Sequence, residues 1–466
     1  MIIVFLVLVV GVLGAVHYYL WRRLVRDVSR PGGGYRRAGT ALAVLLPLLA
    51  VGAQVAGRAE APFGVQQALA WPGFLWFALL VYLLLTLLVL EPVRPLARRL
   101  LARRAARRTR PVTAPEPRRE PVGVSGGLPG GGADAVGGAG RPLPDVLEPQ
   151  TAGHDADPSD ADPHATTPGE ATPVTAGRDE AARTAEGGAP DPSRRLFVAR
   201  AAALTAGLVA TGTVGYGAHS VLAVGPRLKR VRVPLARLPR AAHGYRIAVV
   251  SDIHIGPILG RAHTRRIVDL INGADVDAVA VVGDLVDGSV AHLGDAAEPL
   301  ARLRSRDGAY FVTGNHEYFS GAEQWVDHVR ELGLRPLENA RVELPGFDLA
   351  GVNDVAGESY GDGPDFAAAL GDRDPARASV LLAHQPVVIH DAVEHGVDLQ
   401  LSGHTHGGQM WPGNLLADLA NPTVAGLERY GDTQLYVTRG AGAWGPPVRV
   451  GAEPDITVVE LASRQA

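Results

Sequence analysis

The chain has 466 residues, and its 45 Lys and Arg nearly balance its 48 Asp and Glu, which leaves a formal charge of −3. This balance gives no sign of a polyanionic partner, and we expect no binding of nucleic acid. Because cysteine is absent, the sequence excludes disulfides, thiolate zinc sites, iron–sulfur clusters and a Cys nucleophile, and any metal site must use His, Asp, Glu or Asn.

Three uncharged apolar segments lie near the amino terminus, at residues 1–20, 38–57 and 71–90. Each has about the 20 residues that a helix needs to cross the hydrocarbon core of a bilayer. A cleaved secretory signal is the alternative for the first segment, but that segment lacks a basic start and a small-residue cleavage site. A helix buried in a soluble core is disfavoured because none of the three has a polar face. We therefore predict three transmembrane helices within residues 1–108.

The distribution of arginine predicts how these helices are oriented, because short loops rich in Lys and Arg remain in the cytoplasm. The segments after the first and third apolar stretches carry Arg22, Arg23, Arg26, Arg30, Arg36 and Arg37, and then Arg94, Arg98, Arg99, Arg103, Arg104, Arg107, Arg108 and Arg110. The connection between the second and third stretches has only Arg58, beside Glu60. We expect this connection and the amino terminus to lie outside the cytoplasm.

Residues 109–192 consist mainly of Pro, Gly, Ala, Thr and Asp, and they show neither a strand-like nor a helix-like apolar repeat. Such a segment buries too little apolar surface to offset the entropy of ordering its backbone. We predict a disordered linker here.

The segment at residues 193–224 begins with a pair of arginines. Its first residues, SRRLFVAR, resemble the S-R-R-x-F-[LV]-x-[KR] pattern of twin-arginine export signals, and a mildly apolar stretch rich in Ala, Gly and Thr follows. This likeness makes the twin-arginine export machinery an expected partner. An ordinary fourth transmembrane helix is the alternative, and it predicts the same sidedness. In both cases we expect the chain after Val224 to lie outside the cytoplasm.

From Arg246 onward, five short apolar runs each end in a polar cluster, at residues 251–254, 283–287, 314–317, 384–386 and 403–408. Helix-like stretches lie between the early runs, for example at residues 263–275. This alternation predicts an α/β architecture in which the clusters meet at one edge of a sheet, the place where such sheets bind ligands.

The clusters are rich in metal-binding side chains. In an extended Asp-x-His or His-x-His pair, alternate residues point the same way, so both side chains can reach one ion. Asp carboxylates, neutral imidazoles and an Asn carbonyl form a mixed set of ligands that suits Mn, Fe, Zn or Co better than Cu or Ca²⁺. A buried structural His or an Asp cap explains any one of these residues, but it does not explain five clusters in order.

These clusters resemble the signature of the calcineurin-like metallophosphoesterase superfamily, which reads D-x-H, G-D-x-x-D, G-N-H-[DE], a lone His and G-H-x-H. The matching residues are Asp252 and His254, Asp284 and Asp287, Asn315, His316 and Glu317, His384, and His404 and His406. The string GHTHGGQMWPGN at residues 403–414 is similar to the bacterial membrane-associated or exported YkuE/YaeI-type branch. The resemblance covers roughly residues 238–461. It implies a metallophosphoesterase domain at residues 238–462, with an α/β fold in which a β-sandwich is flanked by helices.

The resemblance also implies roles for the site residues, including two divalent metal ions, with Mn, Fe and Zn as the expected identities. Asp252, His254 and His406 would bind one ion, Asn315, His384 and His404 would bind the other, and Asp284 would bridge them. Two adjacent dications lower the pKa of a water that they share. His316 follows the ligand Asn315 and would act as general acid or as a donor to the transition state, with a supporting hydrogen bond to a ligand as the alternative.

Several neighbours of these residues are weaker candidates. Asp287 and Glu317 are expected to orient ligands by hydrogen bonds, with turn capping as the alternative. Asn353 and Arg439 lie at other strand ends, where Arg439 could grip a phosphate or both could be structural. Gly407 and Gly408 could present N–H groups to a phosphate or simply form a tight turn.

The expected function is that of a multi-pass protein of the cell membrane whose external domain hydrolyses a phosphoester. A tethered site meets lipid-linked substrates at high effective concentration, so we expect a diester or pyrophosphate of lipid or envelope material rather than a protein phosphate.

Other functional classes remain open at this point. A catalytically silent receptor or scaffold with the same fold is the principal alternative. A transporter with an attached hydrolase is disfavoured because no charged residue lies within the first three apolar segments. A Ser-His-Asp hydrolase is disfavoured because the sequence has no G-x-S-x-G elbow.

Overall fold

A computed structural model describes residues 2–108 and 192–465 of the chain. The predicted disordered linker at residues 109–192 lies outside the described residues, except for its last residue. Two parts of the chain are therefore described: a set of long apolar helices and a carboxyl-terminal domain, residues 227–465.

The apolar part consists of long helices. They are α1 (Ile2–Leu24), α2 (Gly34–Arg58), α3 (Phe63–Arg108) and α4 (Pro192–His219), the last continued by a π-helical turn at Ser220–Val224. Among the described residues, three helices are long and apolar enough to cross a membrane, at Gly34–Arg58, Phe63–Arg104 and Ser193–Val224. Helix α1 covers the first predicted span, whose initial Met is not described. The number of spans stays a prediction.

Contacts between these helices group their arginine-rich ends. The guanidinium of Arg23 at the end of α1 pairs with Glu91 of α3. Arg200 near the start of α4 donates from Nε to the carbonyl of Val28, 3.2 Å away. The opposite end of α4 contacts the carboxyl-terminal domain, where the amide of Arg449 donates to the carbonyl of Gly217 at 3.2 Å.

The carboxyl-terminal domain alternates strands and helices in its first half, as the sequence predicts. Its strands are β1 (Arg227–Leu235), β2 (Tyr245–Val250), β3 (Ala278–Val282), β4 (Ala309–Val312), β5 (Arg335–Pro336), β6 (Ala340–Leu344), β7 (Phe347–Gly351), β8 (Ala378–Leu382), β9 (Leu399–Ser402), β10 (Gly426–Tyr430), β11 (Thr433–Val437) and β12 (Asp455–Ser463). Its helices are α5 (Arg261–Asn272), α6 (Val290–Ala297), α7 (Asn315–Ser320), α8 (Ala322–Glu331), α9 (Phe366–Leu370), α10 (Ile389–Glu394) and α11 (Gly413–Ala420).

The strands form two six-stranded sheets within the described residues, in the orders β1-β12-β2-β3-β4-β5 and β10-β11-β9-β8-β7-β6. Strand β3 shows why these runs become central strands, since its sequence AVAVV is buried along its whole length. A strand that is covered on both faces needs such a continuous apolar run. The sheets therefore pack face to face, and Ile247 and Val282 of the first share one core with Leu349 and Leu382 of the second.

Helices cover the outer faces of the two sheets. Helix α5 buries Ile267 and Ile271, which lie four residues apart on one face of the helix, against the first sheet. Ala369 of α9 and Ile389 of α10 pack on the second sheet. The observed domain is thus a β-sandwich flanked by helices, and the predicted fold class is confirmed.

This topology places the five polar clusters close together. Strands β2, β3 and β4 are parallel neighbours, so their carboxyl ends emerge at one edge of the first sheet. Strands β8 and β9 are parallel neighbours in the second sheet. The loops that follow these five strands carry the predicted ligands.

Candidate metal centre

One cluster of buried side chains joins the loops after β2 and β9. Ligand atoms of Asp252, His254 and His406 all lie within 4.8 Å of one another. The Nε2 atom of His406 is 3.2 Å from Oδ1 of Asp252 and 2.9 Å from Nε2 of His254. These are the residues that the sequence resemblance assigns to one ion.

A second cluster joins the loops after β3, β8 and β9. Ligand atoms of Asp284, His384 and His404 also lie within 4.8 Å of one another. Oδ2 of Asp284 is 3.1 Å from Nε2 of His384 in this cluster and 3.8 Å from Nε2 of His254 in the first. Asp284 therefore lies between the two clusters, at the position expected of a bridging carboxylate.

Two buried atoms near Asp284 test whether the residues fit a metal. Among the described residues, Oδ1 of Asn315 and Nδ1 of His404 are inaccessible to solvent and have no hydrogen-bond partner. Leaving such atoms unpaired costs about 1–3 kcal/mol each, so folded proteins rarely do so without a ligand. The two are a carbonyl oxygen and a ring nitrogen, which are suitable donors for a divalent ion of borderline hardness. The donor set fits a metal centre.

Two of the buried histidines are in the charge state that binds a metal. Burial, followed by the positive charge of His384, lowers the pKa of His404 to about 4. Burial, followed by the positive charge of Arg449, lowers the pKa of His406. Both rings are neutral at pH 7, which is the form that binds a metal. For Asp284, burial opposes ionisation, but His384 and His316 outweigh it and lower the pKa of this carboxyl.

The backbone at the ligands is unusual. Five of them have φ in the left-handed region, with values of 53° at Asp252, 48° at His254, 51° at Asp284, 71° at His404 and 53° at His406. Each such residue costs roughly 1–3 kcal/mol when it is not glycine, and such strain concentrates at functional sites. The strained backbone therefore directs these side chains into the site at a cost in stability.

Two glycines let these loops approach each other closely. A Cβ at Gly314 would lie 2.3 Å from Oδ1 of Asp284, and a Cβ at Gly403 would lie 1.8 Å from Oγ of Ser251. No side chain fits at either position without displacing a neighbour of the site. Close packing therefore explains why glycine precedes Asn315 and His404 in the sequence signature.

Asp287 connects the first cluster to His316. Its Oδ1 is 2.8 Å from Nδ1 of His254 and 2.7 Å from Nδ1 of His316. The rings of His254 and His316 meet edge to face, with centroids 4.7 Å apart. Burial lowers the pKa of His316, but Asp287 and then Asp284 outweigh burial and raise it to about 9. His316 therefore carries a proton beside the metal centre.

Glu317 holds the loops beneath Asp284. Its carboxylate accepts hydrogen bonds from the amides of Asp284 at 3.0 Å, Leu285 at 2.8 Å and Gly314 at 2.6 Å. It is fully buried and does not belong to either metal cluster. Its contacts are those of a residue that fixes backbone positions.

The remaining weak candidates lie at the edge of the site. Nδ2 of Asn353 donates to Oδ1 of Asp362 at 2.8 Å, so this side chain is occupied in a loop. The amides of Gly407 and Gly408 donate to the side chain and the carbonyl of Thr405, at 3.2 and 2.8 Å. These glycines form a tight turn in which Thr405 is the partner of both amides.

Arg439 lies beside that turn. Its carbonyl accepts a hydrogen bond from Nη1 of Arg449 at 2.8 Å, and its side chain lies alongside Gly407. The structure thus brings Arg439 next to the loop of His406.

Two residues that touch the ligands are absent from the sequence prediction. Arg449 is 1% exposed, and its guanidinium approaches Nδ1 of His406 to 2.9 Å and donates to the carbonyl of His406 at 2.7 Å. Ser251 donates from Oγ to Oδ2 of Asp252 at 2.6 Å. The only sequence signal for Arg449 is its position as the single charged residue in the run GAGAWGPPVRVGA.

A cleft leads from the metal centre to the membrane helices. On one side it is lined by His254, Asp287 and His316. Other lining residues include Gln54, Arg58 and Phe74 from α2 and α3, and Leu259, Phe319 and Trp444 from the carboxyl-terminal domain. The cleft therefore combines the candidate site with part of the apolar helices.

Comparison with known sequences agrees with this geometry. The calcineurin-like phosphoesterase family matches residues 245–408, which contain all seven proposed ligands. The chain is 31% identical to an uncharacterized metallophosphoesterase of Aquifex aeolicus, over 51% of this chain and 92% of that protein.

Two further relatives are longer than the matched region. The chain is 37% identical to the transmembrane protein with metallophosphoesterase domain of Danio rerio, over 51% of this chain and 57% of that protein. It is 38% identical to an uncharacterized metallophosphoesterase of Helicobacter pylori strain J99, over 51% of this chain and 64% of that protein. The chain thus spans less than two thirds of the length of these two relatives.

Proposed function

Because the chain belongs to the calcineurin-like phosphoesterase family, we propose that it is a metal-dependent phosphoester hydrolase. The observation that carries this proposal is the placement of Asp284 between two groups of buried ligands, within 3.8 Å of a histidine in each. A carboxylate in that position offsets the repulsion between two cations held a few ångströms apart.

The residues have distinct roles in this proposal. Asp252, His254 and His406 would hold one ion, and His384 and His404 would hold the other together with Asn315; Asp284 lies between the two groups. When bound, the two ions supply Lewis acidity for the phosphoryl oxygens and lower the pKa of a water. His316 holds a proton next to the ligands and donates it to the leaving oxygen. Asp287 keeps His316 protonated and correctly oriented.

We propose that the substrate is a phosphodiester or pyrophosphate of lipid or envelope material. The cleft supports this choice, because Gln54, Arg58 and Phe74 of the apolar helices line it together with the proposed ligand His254. A site beside a bilayer encounters lipid-linked substrates at a far higher effective concentration than soluble ones.

We further propose that the protein is a multi-pass protein of the cell membrane whose catalytic domain lies outside the cytoplasm. The carboxyl-terminal end of α4 contacts the domain through Gly217. The arginine-rich start of α4 lies at the other end of the helix, where Arg200 contacts Val28 in the loop after α1. Arginine-rich ends remain in the cytoplasm. Export through the twin-arginine machinery stays a proposal that rests on residues 193–200.

The proposal is tested by hydrolysis of bis(4-nitrophenyl) phosphate by the purified full chain, after chelation and after reloading with Mn²⁺, Fe²⁺ or Zn²⁺. We expect turnover that depends on reloading and that is lost in Asp284→Asn. Full activity in the chelated protein, or in Asp284→Asn, would contradict the proposed mechanism. A folded, metal-loaded chain without turnover would support the silent receptor instead.

A further inference from the structure

We propose that the hairpin of α2 and α3 forms one wall of the substrate site, and that Arg58 binds a second anionic group on the head group of a lipid substrate. This inference rests on the proposed function, since it names the class of phosphoester that the same metal centre acts on. The ligand is an amphiphilic phosphoester whose head group carries two neighbouring anionic groups, as in a lipid diphosphate.

Contacts fix the hairpin against the carboxyl-terminal domain. Nε2 of Gln67 donates to the carbonyl of Pro257 at 3.3 Å, three residues after the ligand His254. Nε2 of Gln66 lies 3.4 Å from Nδ1 of His292, and the ring of Phe63 stacks on His292 with centroids 5.8 Å apart. The start of α3 is therefore held beside the loop that carries a metal ligand.

This docking makes the membrane helices part of the cleft. Gln54 and Arg58 of α2 and Phe74 of α3 line the same cavity as His254 and His316. A substrate whose phosphorus reaches the metal centre lies against the hairpin.

Arg58 is the cation that the hairpin supplies to the cleft. Within residues 2–108 and 192–465, no carboxylate lies within ion-pair distance of its guanidinium. Nη1 of Arg58 donates a long hydrogen bond of 3.5 Å to the carbonyl of Gln54. Arg232 and Arg306, by contrast, are paired, with Glu460 at 2.8 Å and with Asp277 at 3.0 Å. An unpaired guanidinium in a cleft is suited to a phosphate or carboxylate group of a ligand.

The other lining residues favour an amphiphile. Phe74 lies within α3, one of the three described helices that are long and apolar enough to cross a membrane. Leu259 and Trp444 line the cleft from the domain side, and half of the Trp444 surface is exposed. An alkyl chain entering between α3 and the domain passes these side chains before its head group reaches the metal centre.

Arg58 also occupies the last turn of α2, where a cation stabilises the helix dipole. If Arg58 only stabilised the helix, its replacement would lower stability without changing the preference between two ligands. Measuring that preference therefore distinguishes the structural role of Arg58 from the proposed binding role.

The test uses the full chain, purified in nanodiscs and loaded with Mn²⁺, and two ligands that cannot be hydrolysed. These are methylenediphosphonate with farnesyl on its methylene carbon, which has two anionic groups, and farnesyl phosphonate, which has one; both contain only carbon–phosphorus links. Equilibrium dissociation constants are measured for the wild type, Arg58→Gln, Arg58→Lys and the control Arg37→Gln, which removes an exposed arginine from the opposite end of the same helix. Hydrolysis of bis(4-nitrophenyl) phosphate by the wild type is measured separately.

We expect the wild type to prefer the diphosphonate and Arg58→Gln to lose about tenfold of that preference, the loss typical of one charge-assisted contact. Arg58→Lys should recover part of it, and Arg37→Gln should match the wild type. An unchanged preference in Arg58→Gln, an equal loss in Arg37→Gln, or failure of the wild type to bind either lipid overturns the inference. Absence of hydrolysis by the metal-loaded wild type instead refutes the proposed function, whatever the binding shows.

Discussion

Oδ1 of Asp287 lies 2.7 Å from Nδ1 of His316. The same oxygen is 2.8 Å from Nδ1 of His254, a proposed metal ligand. One carboxylate therefore contacts both a proposed ligand and the proposed proton donor. The raised pKa of His316, about 9, follows from its contact with Asp287 despite burial.

Replacement of His316 should affect catalysis without affecting metal content. We expect His316→Gln to lower kcat about 100-fold or more, the usual loss for a general acid. The loss should be greater for an alkyl ester than for an aryl ester, because the alkoxide needs a proton more than the phenolate does. Steady-state rates with both esters and elemental analysis of the protein check this.

An equal loss on both esters would argue against proton donation by His316. Depleted metal in the same variant would assign the residue to the metal centre instead. His328→Gln, at a histidine on α8 outside both metal clusters, controls for the loss of an imidazole.

Asp284→Asn should remove the bridge between the two ligand groups. Loss of residues that merely support ligands lowers metal affinity about 10- to 100-fold, so we expect a loss above about 100-fold here. The wild type should gain thermal stability on metal loading, and the variant should gain less, because an ion stabilises the state that binds it. Elemental analysis and melting temperatures with and without chelator measure both effects. Asp269→Asn, at an exposed position on α5, is the matched control.

The sequence was sufficient to predict the fold class and the His and Asp side chains that the structure brings together. Strands such as β3, with the sequence AVAVV, are buried on both faces. A continuous apolar run followed by polar residues therefore predicts both the strand and the place where it ends. All five polar clusters follow such strands, and the parallel pairing of β2, β3 and β4 brings the first three together.

Other features depend on tertiary contacts that residue order does not encode. Arg449 lies 43 residues after His406 in the chain, and the loop before β12 brings the two side chains into contact. The left-handed backbone at Asp252 and His404 belongs to residues that ordinarily avoid that region. The hairpin wall of the cleft joins residues almost two hundred positions apart, as in Gln67 and Pro257.

Arg449 should position His406 for metal binding. We expect Arg449→Lys to lower metal affinity about tenfold, since lysine keeps the charge but cannot reach the ring nitrogen and the three backbone carbonyls together. Titration of the chelated protein with Zn²⁺ provides the measurement. An affinity equal to that of the wild type would show that the guanidinium only fills a buried space.

His263 should make the domain sensitive to acid. Burial, followed by the charges of Arg266 and Arg449, lowers its pKa to about 3, and neither ring nitrogen has a hydrogen-bond partner. The unfolded chain takes up a proton below about pH 6.5, whereas the folded chain does not, so stability falls as the pH drops from about 6.5 towards 3. At pH 5 this effect is about 2 kcal/mol.

His263→Phe should remove that loss. We expect its melting temperature to fall less between pH 7 and pH 5 than that of the wild type, measured on the full chain in detergent. His390→Phe, at an exposed position on α10, is the control. The same fall in His263→Phe as in the wild type would contradict the assignment.

The sidedness of the domain can be tested by labelling, because the chain has no cysteine of its own. We expect an impermeant maleimide to label Glu323→Cys, at an exposed position on α8, in intact cells. Arg37→Cys, near the start of α2, should be labelled only after permeabilisation. The reverse pattern would place the domain in the cytoplasm.

The docked hairpin also bears on how this protein is best prepared. A truncated, water-soluble fragment that begins at β1 retains the seven proposed ligands together with Asp287, His316 and Arg449, yet it lacks Gln54, Arg58 and Phe74. Such a fragment is expected to turn over small chromogenic esters and to be a poor guide to natural selectivity. Compound screens on such a fragment would measure binding to the domain side of the cleft alone, without the side that α2 and α3 provide.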